Sequence, residues 1–254
     1  MKILLSPAKS LDYTSKMPTE RATQPLFQKE SVKLIEVLRD RSPEDLGSLM
    51  SISSKLADLN HERFQQYSTT FDASNSRPAI YAFAGDVYTG LDAYTLDVNL
   101  LDKAQDSVRI LSGLYGFLRP LDLLQPYRLE MGTKLETSKA QNLYGFWGDQ
   151  LTRAINEEIN NELELVINLA SQEYFKVIDS QQLSGTLVSP VFKDFKNGKL
   201  KIIAFFAKKA RGMMTRFLLE NEIIELEDLL NFNSDNYRYS EAETQDPQQP
   251  VFVR

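Results

Sequence analysis

Apolar positions along the chain fall into two rhythms. Between residues 27 and 39 the pairs Ser31-Val32, Leu34-Ile35 and Val37-Leu38 recur at helical spacing, which predicts an amphipathic helix. Ser42 then stands before Pro43-Glu44-Asp45, a capping hydroxyl ahead of a proline suited to the first helical position, so a second short helix starts there. Short apolar runs at residues 2–5, 80–83, 108–111 and 165–168 read as buried strands, and residues 146–160 as a helix. Near the C-terminal end, apolar runs at 188–194 and 200–206 flank Lys196-Asn197-Gly198-Lys199. Asn-Gly between two such runs is a hairpin signal, because both residues tolerate positive φ. Residues 207–220 follow as a helix with Ala210, Met213, Met214, Phe217 and Leu218 on its apolar side.

Strands and helices mix without strict alternation. The expected fold class is therefore α/β to α+β, a single domain over residues 1–254 with a mixed sheet flanked by helices. No repeat or linker divides the chain, and the polar stretch after about residue 240 is expected to be a poorly ordered tail.

Composition narrows the chemistry. There is no Cys and one His among 254 residues, which removes disulfides, thiolate metal sites, iron–sulfur clusters and thiol peroxidase chemistry. His61 lies in a polar helical stretch and reads as a bystander. No phosphate-binding loop, dinucleotide fingerprint or nucleophile elbow occurs, so no cofactor, no metal and no identifiable catalytic residue are expected. The apolar run at the N-terminus breaks at Ser6-Pro7, short of a signal-peptide core, and no run could span a bilayer; a cytoplasmic protein with no membrane contact is expected.

Charge is unevenly spread. The chain carries −6, yet residues 193–216 hold Lys193, Lys196, Lys199, Lys201, Lys208, Lys209, Arg211 and Arg216 against Asp194 alone, a net +7 that leaves −13 elsewhere. Such a segment either binds an anion, phosphate being the obvious one, or offsets acids elsewhere in the fold. Lys208-Lys209 follow an apolar strand at a helix start, where anions are favoured. A second anion candidate is Gly113-Leu114-Tyr115-Gly116, with Arg119 beyond it. Two close glycines permit a turn whose N–H groups converge, and Pro120 is placed to start a helix, as in a helix-hairpin-helix module. That hairpin has one residue between its glycines, whereas Leu114 and Tyr115 both intervene here, so a purely structural turn is the first reading of the local pattern.

Other polar candidates are Asp86 and Tyr88 after a strand end, Arg128 and Glu130 on one side of an extended stretch, and Asp149 in the first turn of a helix. Each reads equally as an ion pair or cap in a packed domain.

Taken together, several blocks resemble one family. Leu5-Ser6-Pro7-Ala8-Lys9-Ser10-Leu11-Asp12, GDVYTGL at 85–91, LSGLYGFLRPLDLLQPYRLEMG at 111–132, LYGFWGD at 143–149, NLASQEYFK at 168–176 and AKKARGMMTR at 207–216 are similar, in order, to the bacterial YaaA family of peroxide-stress-resistance proteins. Ala84 stands where some members carry Lys. The resemblance implies a single-domain α/β protein with a helix-hairpin-helix-like element at 113–124. It also implies a basic cleft, DNA binding, and a role in holding down free iron during peroxide stress.

Three functions follow as expectations. The first is protection through sequence-neutral DNA binding by Lys9, Gly113, Tyr115, Gly116, Arg119, Arg128, Lys199, Lys208, Lys209, Arg211 and Arg216. The second is an enzyme acting on a small phosphorylated or nucleotide-like substrate, with Lys9, Asp86, Tyr88, Arg128, Asp149, Lys208 and Arg211 converging in one pocket. Asp12 and Glu130 are further polar groups there, Lys9 or Lys208 binds the anion, and a carboxylate serves as base. Iron binding by carboxylate oxygens is the third and has no ligand spacing to support it.

Overall fold

The computed structural model describes all 254 residues. Its centre is a five-stranded sheet of β1 (Lys2–Leu5), β2 (Val108–Ser112), β3 (Gly116–Leu118), β4 (Leu165–Leu169) and β5 (Thr186–Val188), in the order β3-β2-β1-β4-β5. β1 pairs in parallel with β2 and β4, and β5 with β4; β3 returns antiparallel to β2. The uninterrupted apolar runs of β1, β2 and β4 are what a parallel sheet covered on both faces requires. One contiguous core of 60 buried residues surrounds it.

The helices expected around residues 27–39 and after Ser42 form as α1 (Gln28–Arg39) and α2 (Pro43–Met50). α1 buries Ser31, Leu34, Ile35 and Leu38, and α2 starts with a reciprocal Ser42–Asp45 capping box. α3 (Ser54–Gln66) carries a half-buried His61. α4 (Asp86–Leu91), α5 (Val98–Ser107) and α6 (Gln150–Asn156) precede a smaller sheet of β6 (Val191–Lys196), β7 (Lys199–Lys201), β8 (Arg238–Tyr239) and β9 (Val251–Val253), ordered β7-β6-β9-β8. The hairpin β6–β7 turns at Asn197 (φ 54°) and Gly198 (φ 74°), as the Asn-Gly pair requires. The chain then enters α7 (Ala204–Glu220), which lies against α4 at two glycines, Gly90 and Gly212.

Several expectations are corrected. Residues 79–82 form a helical turn, and only Phe83–Ala84 pairs as strand, with Ser10–Leu11. A fully buried run of four apolar residues suits either state, and the backbone bonds of Ala79 and Ile80 to Asp122 and Pro120 decide it. The helix at 146–160 is two helices, Leu143–Trp147 and Gln150–Asn156, broken at Gly148 (φ 52°). The run at 188–194 is divided around Pro190, which has no N–H to give to a ladder, and the run at 200–206 leaves the sheet after Lys201.

No helix-hairpin-helix forms at 113–124. Those residues are the β2–β3 turn, strand β3, a turn opened by Pro120 where a helix was expected, and a two-residue strand, Leu123–Leu124, paired with Arg77–Pro78. A helix pair joined by a tight turn occurs instead at α2–α3, with Ser51 left-handed at φ 51°.

The C-terminal stretch is not a loose tail. β9 lies inside the small sheet, parallel to β6 and antiparallel to β8, and Phe252 is fully buried against Phe192, Phe232 and Tyr239. Phe252→Ala is expected to cost about 3–5 kcal/mol, the range for emptying a buried phenyl site. Thermal unfolding checks this, and an unchanged midpoint would show that the terminus does not hold the sheet.

Candidate functional site

Open α/β sheets place ligands beyond the carboxyl ends of their strands, where neighbouring connections part to opposite sides. Here that place lies between β2 and β4, on either side of β1. Ser6, just after β1, accepts a hydrogen bond from the Ser171 N–H (2.8 Å) after β4, and the Tyr88 phenol on α4 donates to the Ser6 carbonyl (3.1 Å). At the end of β2, the Ser112 and Tyr127 hydroxyls lie 2.6 Å apart.

The Glu130 carboxylate is held between two cations. Lys9 Nζ is 2.8 Å from Oε2, and Arg128 Nη2 is 2.9 Å from Oε1. Arg128 and Glu130 do share a side of their extended stretch. Arg128 Nε is buried and has no hydrogen-bond partner. Glu173 accepts the Gly132 N–H at 3.0 Å.

Burial dominates the phenols. It pushes nine of the eleven tyrosines above their ordinary value, among them Tyr88, Tyr127 and Tyr174 beside this cluster and Tyr67 to about 12. A raised folded-state pKa gives stability that is complete below about pH 10 and lost as pH rises through the folded values. Alkaline titration is therefore expected to release phenolate absorbance together with unfolding. Smooth ionisation of all eleven without loss of structure would contradict this burial.

The Gly113–Gly116 turn offers no phosphate grip. Tyr115 is fully buried, its N–H is given to Ser112 Oγ (3.0 Å), and its phenol accepts the Gln125 N–H (3.1 Å). Trp147 Nε1 donates to the Gly113 carbonyl (3.0 Å), and Gly116 sits against Phe27, Trp147 and Leu151. The glycines are there because core groups press on the turn: a Cβ at Gly113 would lie 2.4 Å from the Leu129 carbonyl.

Several other candidates are structural. Arg119 binds the fully buried Asp122 (2.9 Å), and Asp149 makes an exposed pair with Arg153 (3.2 Å). Asp12 accepts the N–H groups of Thr14 and Ser15, and the hydrogen bonds from Ser15 and Thr14 hold its carboxyl well below the usual range. Asp86 is half-buried in the first turn of α4.

The basic segment therefore does not gather beside Tyr115. Lys193 is paired with Glu243 (2.8 Å) and Lys209 with Asp235 (3.8 Å); Arg216 binds Glu220 (2.7 Å) and the Asp92 carbonyl at the end of α4 (3.0 Å). Lys196, Lys199, Lys201 and Lys208 are exposed and make no ion pair, and Arg211 is half-buried without an acid, its pKa lowered by burial. The unpaired lysines share the β6–β7 hairpin and the start of α7 with Phe195 (67% exposed), Ile202 (63%) and Phe205 (57%). The sequence reading missed these apolar groups. The signal was available, since Phe195 falls on the opposite strand face from buried Phe192 and Asp194.

No group of three or more acidic or His side chains is placed to hold a metal ion, and no helix is long and apolar enough to cross a membrane.

Fold and sites thus define an α+β protein with an ion cluster at the carboxyl ends of its parallel strands and a separate cationic hairpin. Residues 1–243 match the family described as peroxide stress protein YaaA, and the chain belongs to that family, whose name carries a role in peroxide stress. It is 52% identical over 245 residues to a UPF0246 protein of Aliivibrio fischeri, covering 96% of this chain and 95% of the relative. A UPF0246 protein of Hahella chejuensis is 50% identical over 243 residues, 95% of each chain, and one of Shewanella woodyi is 51% identical over 255 residues, 100% of this chain and 99% of the relative.

Proposed function

We propose that the protein limits peroxide damage by binding DNA phosphates, without reading base sequence, through the lysines of the β6–β7 hairpin and α7. The supporting observation is that Lys196, Lys199, Lys201 and Lys208 stay exposed and unpaired in a chain of net charge −6, which has acids to spare. Lysines that neutralise phosphates release the cations condensed there. Ferrous iron on those phosphates turns peroxide into hydroxyl radical beside the DNA, so its displacement lowers local damage. Sequence neutrality follows because flexible ammonium groups on a hairpin contact backbone oxygens, not base edges. The test is plasmid nicking by ferrous iron and peroxide at a fixed iron concentration. The protein is expected to suppress nicking, and Lys199→Ala with Lys201→Ala to lose that protection. Equal protection by both would remove the reading.

A second reading, an enzyme acting on a small phosphorylated or nucleotide-like substrate, is favoured by one observation. Lys9, Arg128 and Glu130 meet beyond the parallel strands, with Arg128 Nε unpartnered. An anion bound there is expected to raise the melting temperature of the wild type and not of Arg128→Lys, measured with inorganic phosphate. Identical responses would sink it.

A further inference from the structure

α3 borders a cleft outside both sites already described. Leu59, Glu62, Arg63 and Gln66 recur at i, i+3, i+4 and i+7, so they form one side of that helix. Together with residues 11–15, Ala84 and Pro126, that side lines a cavity of about 740 Å³. A second cavity, of about 480 Å³, adjoins it: Tyr13, Arg63, Gln66 and Pro126 line both, and residues 73–77 line the second. Both volumes are of the size that takes small molecules. Internal bonds fix the walls. Asp12 accepts the N–H groups of Thr14 (2.8 Å) and Ser15 (3.0 Å), the Tyr13 hydroxyl donates to the Leu124 carbonyl (2.6 Å), and Asp72 accepts the Ser74 N–H (2.8 Å).

The two cavities differ in charge. Asp12 and Glu62 line the larger one; the smaller has Arg63 and Arg77 and no acid. Arg77 is buried and committed, its Nη2 donating to the Ser15 carbonyl (2.6 Å) and the Tyr94 hydroxyl (2.9 Å). Arg63 is not. It is half-buried and makes no ion pair, and its one hydrogen bond runs from Nη1 to Asn60 Oδ1 at 3.3 Å. Burial lowers its pKa, the mark of a cation that has lost water without gaining an acid. An anion brought from outside would restore what is missing, and the planar guanidinium suits two oxygens of one phosphate. On the acidic side, Glu62 Oε1 accepts from Gln66 Nε2 (3.2 Å) and Oε2 has no partner. Leu59, 40% exposed, and Pro126 add apolar surface.

We infer that this cleft binds a small phosphorylated molecule of the nucleoside monophosphate class, with its phosphate on Arg63, its flat body against Leu59 and Pro126, and its hydroxyl or amino groups donating to Glu62. The match is of three features at once: an anion, an apolar plane and hydrogen-bond donors. A DNA backbone offers the phosphates alone, and Asp12 and Glu62 repel a polyanion. None of Lys9, Arg128 and Glu130 lines the cleft, nor does any lysine of the hairpin, so the site is separate from both described above.

The experiment is calorimetric titration of the full chain with AMP, GMP, CMP and UMP in turn, and with inorganic phosphate. At least one nucleotide is expected to bind with a dissociation constant of about 1 mM or less, and inorganic phosphate about tenfold or more weakly, since it leaves the apolar wall and Glu62 unused. Arg63→Gln is expected to weaken the nucleotide about tenfold or more, with Arg63→Lys, which keeps the charge without the planar fork, falling between. Leu59→Asn is expected to weaken the nucleotide about threefold and to leave inorganic phosphate unchanged. Leu59 and Arg63 both reach solvent, so the unliganded melting temperatures should hold; if the glutamine variant unfolds, the lysine and asparagine variants decide. No binding of any of the four nucleotides at about 5 mM overturns the inference. So does binding that Arg63→Gln leaves unchanged; if Arg128→Lys then abolishes it, the ligand sits at the Glu130 cluster and the enzyme reading gains. Loss of duplex affinity in Arg63→Gln with no nucleotide bound marks Arg63 as a DNA phosphate contact and also overturns the inference.

Discussion

Replacing Lys199, Lys201 and Lys208 together by alanine is expected to weaken binding to a random-sequence duplex by about two to three orders of magnitude at ~0.1 M salt. Each phosphate contact contributes about 0.9 to the slope of log affinity against log salt, so three lost contacts remove nearly three decades at that concentration. The three side chains are exposed and free of ion pairs, so no internal interaction is lost with them. Lys193 and Arg216 serve as the comparison: their charges are already met by Glu243 and Glu220, and replacing either should change affinity much less. Anisotropy titrations of the variants decide the matter. A triple variant within about threefold of the wild type would show that the hairpin lysines form only a solvated face.

Gly212→Ala is expected to destabilise the fold strongly, by forcing two helices apart. α7 and α4 approach so closely that a Cβ at Gly212 would lie 1.8 Å from the Val87 carbonyl and 2.7 Å from the Leu91 N, both backbone atoms that cannot swing aside. The approach is similarly close at Gly90, where a Cβ would lie 2.2 Å from the Lys209 carbonyl, so a shift along the axis gives no relief. The helices must separate, at a cost of about 3 kcal/mol or more. For a chain of this length that corresponds to a fall in melting temperature of roughly 6–12 °C. Calorimetry checks it, and a midpoint unmoved by the substitution would mean the helices are not in the contact described. The packing also matters for the sites, since α4 carries Tyr88 to Ser6 and α7 carries Lys208.

What the sequence made legible is what local physics decides. β1 and α1 followed from the spacing of apolar residues, the start of α2 from Ser42-Pro43, and the hairpin from Asn197-Gly198. Each of these depends on a handful of neighbouring residues. The misreadings depend on distant partners. Residues 79–82 became helical because Pro120 and Asp122 accept their N–H groups. Gly113 and Gly116 fit a phosphate nest or a structural turn in sequence, and Leu129, Trp147 and Phe27, closing over them, make it the structural turn. The polar stretch after residue 240 hides a strand whose worth comes from Phe192, some sixty positions earlier. Lys9, Arg128 and Glu130 were each visible as candidates, yet only the chain path through β1 and the loop after β3 joins them. The cations of residues 193–216 were counted correctly, but counting could not show that Lys193, Lys209 and Arg216 are paired.

The central claim is that unpaired lysines on the hairpin and α7 meet DNA phosphates whatever the base sequence. Its most direct test is a salt titration of wild-type affinity for two duplexes of unrelated sequence. Parallel lines with a log–log slope of roughly −3 to −5 are expected, as about four phosphate contacts require. A flat line, or affinities differing between the two duplexes by orders of magnitude, would contradict it.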